Sequence, residues 1–325
     1  MGVIGAGAMG ADHIRTISTS VPAARVSAVY DFNRDTAYAA ASGVGADVVG
    51  SAEQLIESSA VDAVIIASPD RTHAEVVRAC LVAGKQVLCE KPLAVTADEA
   101  YGVVEAEVAG GRRLLQVGFM RRYDPGFAAL KRTITDGTVG AVKLVHAIHR
   151  NASSSTSTDD AGLITGSMIH ELDTIPWLLD DEITGIRVES PIVDGFRDPQ
   201  LATIWTRGGV MVTAEVFVNA GYGYDVRCEV VGSRGTSSLV PTSPVSTRSA
   251  GVDGVPVRDD FVAHFSDAYR IELSTWADEA LSGTTTGPSA WDGYVANAVA
   301  EAGVASLASG VREPVILKDR PGLYA

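Results

Sequence analysis

Along the first 120 residues, short apolar runs alternate with amphipathic stretches, the pattern that builds parallel β-α-β units. Val3-Ile4 closes on a glycine-rich turn, and a helix is expected from there to about Ser20, ahead of Pro22. Val26–Asp31 reads as the second strand and Asp35–Ser42 as a helix. Ser51 and Gln54 have capping-box spacing for a short helix through Glu57. Val61–Ala67 (VDAVIIA) is almost continuously apolar, as a strand covered on both faces is. A helix from about His73 to Val82, stopped by Gly84, leads to a strand at Gln86–Cys89. Thr96 and Glu99 repeat the capping spacing for a helix ended by Gly110-Gly111, and Leu114–Phe119 supplies the last strand. An α/β, doubly wound domain is therefore expected over residues 1–120. Only Met1–Ile4 precede the first turn, so the central strand is expected to be very short, as a missing segment or a misplaced start would make it.

After residue 120 the period changes. Pro125–Thr135 reads as a helix, Val142–Arg150 as a strand and Ile164–Leu179 as a helix. From Ile183 to about Leu239 the chain is mostly strand, with alternation in LATIWTR, VMVTAEVFVN and YDVRCEVVG. Two long helical stretches follow near Asp260–Leu281 and Ala290–Leu307. Residues 121–325 are thus expected to form an α+β domain on a mostly antiparallel sheet. The small polar residues 152–162 read as a loop, either a linker or the border of a site. No internal repeat is visible.

Composition narrows the function. With 46% hydrophobic and 20% charged residues the chain reads as an ordinary globular protein. No run of about 20 apolar residues suggests a membrane span, and nothing resembles a signal peptide. The three cysteines, Cys80, Cys89 and Cys228, lack CxxC spacing, which fits a reducing cytoplasm. A formal charge of −14 opposes binding to a phosphate backbone, so nucleic acid is not an expected partner. No metal is expected either: His146 and His149 point to opposite faces of a strand, and position 174 is Thr where HExxH requires His.

Gly5-Ala6-Gly7-Ala8-Met9-Gly10 is a GxGxxG sequence between a strand and a helix, the context in which it signals a dinucleotide site. Gly5 permits the tight turn, Gly7 lets a pyrophosphate approach the backbone, and Gly10 lets helix pack on strand. Ala8 and Met9 open the helix whose N-terminus favours the phosphate charge. Asp31 ends the second strand, 21 residues after Gly10, where a carboxylate accepts from the ribose hydroxyls and repels a 2′-phosphate. NAD is the expected cofactor, with nearby Arg34 softening the exclusion of NADP.

Three further segments leave the carboxyl ends of strands, where doubly wound sheets bind ligands. They are Ser68-Pro69-Asp70-Arg71-Thr72-His73, Glu90-Lys91-Pro92, and Gly118–Tyr123 (GFMRRY). Ser68, Pro69, His73, Glu90 and Lys91 are accordingly placed at the cofactor, although His73 has the alternative of simply packing the helix it begins. Cys80 and Cys89 read as small buried residues rather than nucleophiles.

The fingerprint followed by EKP in this position resembles the Gfo/Idh/MocA family of oxidoreductases. Within it the chain is most similar to the inositol 2-dehydrogenases, through His149-Arg150-Asn151, Ile169–Asp173 with Trp177-Leu178, Ala214–Asn219 and Tyr222–Asp225. The resemblance covers nearly the whole chain. It implies oxidation of a secondary ring hydroxyl of a small polyol or sugar to a ketone, with hydride passing to nicotinamide. It implies that Lys91 contacts the hydroxyl and assists proton transfer and that His170 is the general base. It further implies that Arg121 and Asn151 orient ring hydroxyls, that Tyr224 (less surely Tyr222) lines the pocket, and that the assembly is a homotetramer. Asp173, three residues after His170, shares roughly its helical face and is added to the substrate contacts. One position departs: the family places an Asp one helical turn before the histidine, and here that residue is Gly166. Three readings stay open: a myo-inositol-type dehydrogenase, a dehydrogenase of another sugar or aminocyclitol, and a regulatory protein that binds NAD without turnover.

Overall fold

The structure, a computed structural model, describes residues 1–153, 159–192, 195–240 and 245–325. It divides into two units: Met1–Met120 with Asp267–Asn297 and Leu317–Ala325, and Arg121–Ser266 with Ala298–Ile316.

In the first unit the glycine-rich opening gives β1 (Gly2–Ile4) and α1 (Ala8–Ser20), then β2 (Ala28–Tyr30), α2 (Arg34–Ser42), β3 (Asp47–Val48) and α3 (Ala52–Glu57). It continues through β4 (Ala63–Ile66), α4 (His73–Val82), β5 (Gln86–Glu90), α5 (Ala97–Gly110) and β6 (Leu115–Gly118). The strands pair in parallel in the order β3-β2-β1-β4-β5-β6. Every residue of β1, β4, β5 and β6 is buried, because helices cover both faces of such a sheet. The Thr96–Glu99 capping box is complete. At Ser51 only half of one forms: its hydroxyl accepts from Gln54 N–H, while the Gln54 side chain turns to the Gly50 N–H.

The sequence assigned everything after residue 120 to a second domain. The structure returns residues 267–297 and 317–325 to the first unit, and packing supplies the reason. Leu273, Trp276 and Ala277 complete the buried cluster of Val3, Ile14, Val29 and Leu88. Tyr324 donates to one oxygen of Glu107, whose other oxygen takes the N–H groups of Leu114 and Leu115.

The second unit begins with α6 (Pro125–Thr135) and β7 (Val142–Arg150). Residues 154–158 of the expected 152–162 loop lie outside the described residues. Asp159 caps α7 (Asp160–Gly162), so the helical run starts earlier than expected. It passes through a π-helical turn, Leu163–Met168, into α8 (Ile169–Leu179). There follow β8 (Ile183–Glu189), β9 (Gln200–Thr206), β10 (Met211–Phe217), β11 (Asp225–Gly232), β12 (Thr236–Ser238) and the hairpin of β13 (Thr247–Ser249) and β14 (Val252–Gly254). In chain order there remain α9 (Phe261–His264), α10 (Ser266–Ser282, in the first unit from Asp267), α11 (Ala290–Ser309, in the second unit from Ala298) and the short β15 (Glu313–Pro314). Seven strands form one sheet, β12-β11-β7-β10-β9-β8-β15, antiparallel except where β7 and β10 run together.

Candidate active site

In the first unit the glycine turn is sterically determined. Gly5 has φ +92°, and a Cβ there would lie 2.5 Å from the backbone of Ala67 and Ser68. A Cβ on Gly10 would stand 1.8 Å from the Gly5 carbonyl oxygen. Helix α1 then starts at Gly7 with no side-chain cap and no acidic residue in its first turn, so its leading N–H groups face an incoming anion uncontested. Asp31 accepts from the Ala6 N–H at 2.7 Å and the Asn33 N–H at 2.8 Å, which fixes the carboxylate beside the turn with lone pairs to spare. These features fit a dinucleotide: a cradle bare of side chains for the pyrophosphate and a carboxylate for the ribose. Asp31→Ser is expected to weaken NAD binding about 10- to 100-fold in calorimetry, the worth of a charged hydrogen bond. NADP affinity should rise. Unchanged NAD affinity would remove Asp31 from the site.

Lys91 follows β5, half-buried, with Glu90 before it and Pro92 after it. Glu90 accepts from the Lys91 N–H at 3.3 Å and meets His13 Nε2 at 2.7 Å. His73 faces the Pro92 carbonyl through Nδ1 at 2.7 Å and the Ser68 carbonyl through Nε2 at 2.8 Å. The alternative of a packing role for His73 is thus the one the geometry displays: it is buried and ties two loops together. Ser68 Oγ pairs with Thr72 Oγ1 at 2.7 Å.

In the second unit, alternation along β7 turns His149 inward while His146 is exposed. Within this unit His170 on α8 and Tyr224 at the start of β11 stand with it: ring centroids are 6.0 Å from His149 to His170 and 5.6 Å to Tyr224. His149 Nε2 lies 3.3 Å from the Tyr224 hydroxyl, and Nδ1 lies 3.4 Å from Glu171. Arg121 pairs with the other Glu171 oxygen, each side chain being 2% exposed. Burial would push the Glu171 carboxyl up, but the charges and hydrogen bonds of Arg121 and His149 outweigh it and hold the group below the usual range. Burial pushes the Tyr224 hydroxyl up to about 12, so it donates as a neutral phenol. Asn151 presents a buried side-chain oxygen with no hydrogen-bond partner among the described residues.

Several sequence expectations change here. Arg121 was expected to orient ring hydroxyls, yet its guanidinium is buried on Glu171 between the Phe127 and Phe265 rings. Asp173 is held by Arg122 through both oxygens. Tyr222 is half exposed, donating to Asp225 and receiving from Arg150. The one-turn spacing between Gly166 and His170 passes through the π-turn, where backbone bonds reach five residues back instead of four.

From the sequence Glu171 stands only within a motif, His149 within a motif and as a rejected metal ligand, and His264 not at all. The alternation of β7 was the available signal for His149. His264 packs on Tyr224 with centroids 5.2 Å apart, and burial, followed by the Arg121 charge, pushes its imidazole down to about 4, so it is neutral near pH 7. Among the described residues no group of three or more His, Cys, Asp or Glu is placed to hold a metal, and no helix is long and apolar enough to cross a membrane.

Comparison with known proteins agrees with this geometry. Residues 1–119 match the model of an oxidoreductase family with an NAD-binding Rossmann fold, and residues 127–238 match the GFO/IDH/MocA C-terminal domain. The chain is 48% identical to inositol 2-dehydrogenase 2 of Saccharopolyspora erythraea, covering 100% of the chain and 98% of the relative. It is 45% identical to the inositol 2-dehydrogenase of Cereibacter sphaeroides, covering 100% and 99%. The crystal structure of a Lactobacillus casei myo-inositol dehydrogenase with NAD(H) and myo-inositol superposes with a TM-score of 0.96 at 35% identity, covering 100% of this chain and 98% of that one.

Proposed function

The chain belongs to the Gfo/Idh/MocA family of NAD-dependent oxidoreductases, and from that membership we propose that it oxidises a secondary ring hydroxyl of a cyclitol, myo-inositol or a close relative, to a ketone. The observation that carries the reading is end-to-end similarity to a structure holding both NAD(H) and myo-inositol.

NAD, when bound, supplies the hydride acceptor. Gly5, Gly7, Ala8, Met9 and Gly10 would hold its pyrophosphate and Asp31 its ribose, with Ser68, Pro69, His73 and Glu90 shaping the neighbouring loops. In this reading Lys91 holds the reacting hydroxyl and assists proton transfer, and His170 is the general base, an imidazole being suited to that work near neutrality. Asn151 offers an acceptor to a neighbouring ring hydroxyl through its open oxygen. Arg121, Asp173 and Tyr224 act through Glu171, Arg122 and His149, which they hold in place. The reading extends to a homotetramer in the reducing cytoplasm. Free, buried Cys80, Cys89 and Cys228 support the compartment, and Leu201 and Met211, half exposed on the second-unit sheet, support burial against another copy.

The test is NADH formation from NAD with myo-inositol, other inositol isomers, aminocyclitols and common sugars. Turnover of myo-inositol is the expected result. NAD binding with no turnover of any of them would sink the dehydrogenase and favour the regulatory reading.

Gly166 favours a second reading, a cyclitol substituted where the family's Asp would stand. A Cβ there meets nothing within 4 Å among the described residues, so a side chain fits. Gly166→Asp is expected to raise kcat/KM for myo-inositol about 10-fold, as a carboxylate raises the basicity of a nearby imidazole. If the wild type prefers an aminocyclitol and the variant gains inositol, the glycine marks a substrate change. If the variant gains on no substrate, position 166 has no part in proton removal.

A further inference from the structure

Lys91 stands between two buried histidines that the reaction itself does not require. His13, on α1 and 0% exposed, meets the Glu90 carboxylate at 2.7 Å. That carboxylate is 6% exposed and its second oxygen takes the Lys91 N–H. Room for it comes from the facing strand, where a Cβ on Gly118 would lie 3.3 Å from the Glu90 carboxyl. On the other side His73, on α4 and 1% exposed, meets the Pro92 carbonyl. The residues immediately before and after the lysine are therefore each tied to a different helix of the dinucleotide-binding unit.

We propose that His13 and His73 are positioning residues for Lys91, His13 acting through the Glu90 carboxylate and His73 through the Pro92 carbonyl. The proposal rests on the reading of Lys91 as the group that touches the substrate hydroxyl. It goes beyond that reading by making Glu90 a fixed charge whose direction sets how firmly Lys91 holds its proton.

Among the described residues, the charges that bear on Glu90 include His13 from α1, His73 from α4 and Lys91 from its own loop. Tyr269 on α10 meets His13 edge-on at 5.9 Å. The Cys89 thiol beside Glu90 is pushed well above its ordinary value, chiefly by burial and then by the Glu90 charge, and so stays neutral. Burial alone would push the Glu90 carboxyl up. The hydrogen bond from His13, with the charges of His13, Lys91 and His73, more than offsets this and keeps it ionised. With the imidazole removed, the Lys91 charge that already bears on the carboxylate has less competition, and an opposite charge favours the ammonium form.

His13→Gln keeps a donor toward Glu90 without a charge, and His13→Leu removes both. Lys91 is titrated by trace labelling with acetic anhydride at a series of pH values, read peptide by peptide in a mass spectrometer. The same proteins are assayed with NAD and myo-inositol. His13→Leu is expected to raise the Lys91 midpoint by about one pH unit and lower kcat near neutrality about 100-fold, with KM for NAD within about threefold. His13→Gln is expected to raise the midpoint by about half a unit and to recover most of kcat. An unchanged Lys91 midpoint in His13→Gln overturns the proposal, including when His13→Leu does not fold. A kcat loss without a midpoint shift also overturns it, since a merely structural role would give that. If wild type turns over no cyclitol, the functional reading fails while the labelling result still decides the role of His13.

Discussion

Lys91→Met is expected to lower kcat for cyclitol oxidation about 1,000-fold while NAD affinity changes less than about threefold. Methionine keeps the length and apolar stem of lysine and removes the amine, so packing around the β5 loop is preserved. On the role proposed for Lys91, what is lost is the donor that holds the substrate hydroxyl and assists its proton transfer, together worth roughly 10²- to 10⁴-fold. The Glu90 carboxylate stays on His13 in the variant, and His73 still holds the Pro92 carbonyl, so the dinucleotide-binding edge has no reason to move. Steady-state NADH formation and calorimetric NAD titration separate the two quantities. A variant retaining more than about a tenth of wild-type kcat would assign proton handling to His170 without the lysine.

Arg121→Leu carries the largest expected cost in stability, about 3–5 kcal/mol by denaturant midpoint. Its guanidinium pairs with Glu171 at 2% exposure on both sides, between the rings of Phe127 and Phe265 at 5.7 Å. Removing the cation leaves a carboxylate in the interior with His149 beside it. Replacing both partners with leucine should recover much of the loss, because a buried pair is costly to break and far less costly to remove. The pH dependence has a definite sign. The folded-state Glu171 lies below its ordinary 4.5, so its contribution to wild-type stability is fully present above about pH 4.5 and disappears as pH falls through the lower folded value. In Arg121→Leu the cation that opposed burial is gone, so the deficit relative to wild type should shrink on acidification. An equal deficit at pH 7 and pH 4 would mean that the loss comes from packing and not from charge.

The parts of this molecule legible in the sequence are those whose cause is local. Gly10 announces the turn because the Gly5 carbonyl, five residues back, excludes a Cβ, and Gly5 because side chains rarely adopt its φ of +92°. The buried strands announce themselves because a sheet covered on both faces demands uninterrupted apolar residues. The two-residue β3 left no readable period, its residues Asp47 and Val48 being too few to show one. Helix α10 was visible as a helix, yet nothing in its pattern says which core its Leu273 and Trp276 join. The Arg121–Glu171 pair bridges 50 positions in sequence, so spacing could not reveal it. The π-turn before His170 was equally silent, since its composition suits an ordinary helix.

The return of residues 267–297 to the first unit also bears on the order in which the protein takes shape on the ribosome. Val3, Ile14 and Val29 emerge early, but Leu273, Trp276 and Ala277, which close their cluster, emerge only after the whole seven-stranded sheet except β15 has been synthesised. Contacts so distant in sequence form slowly. The nascent dinucleotide half therefore carries an open apolar flank through most of translation, a natural hold for chaperones.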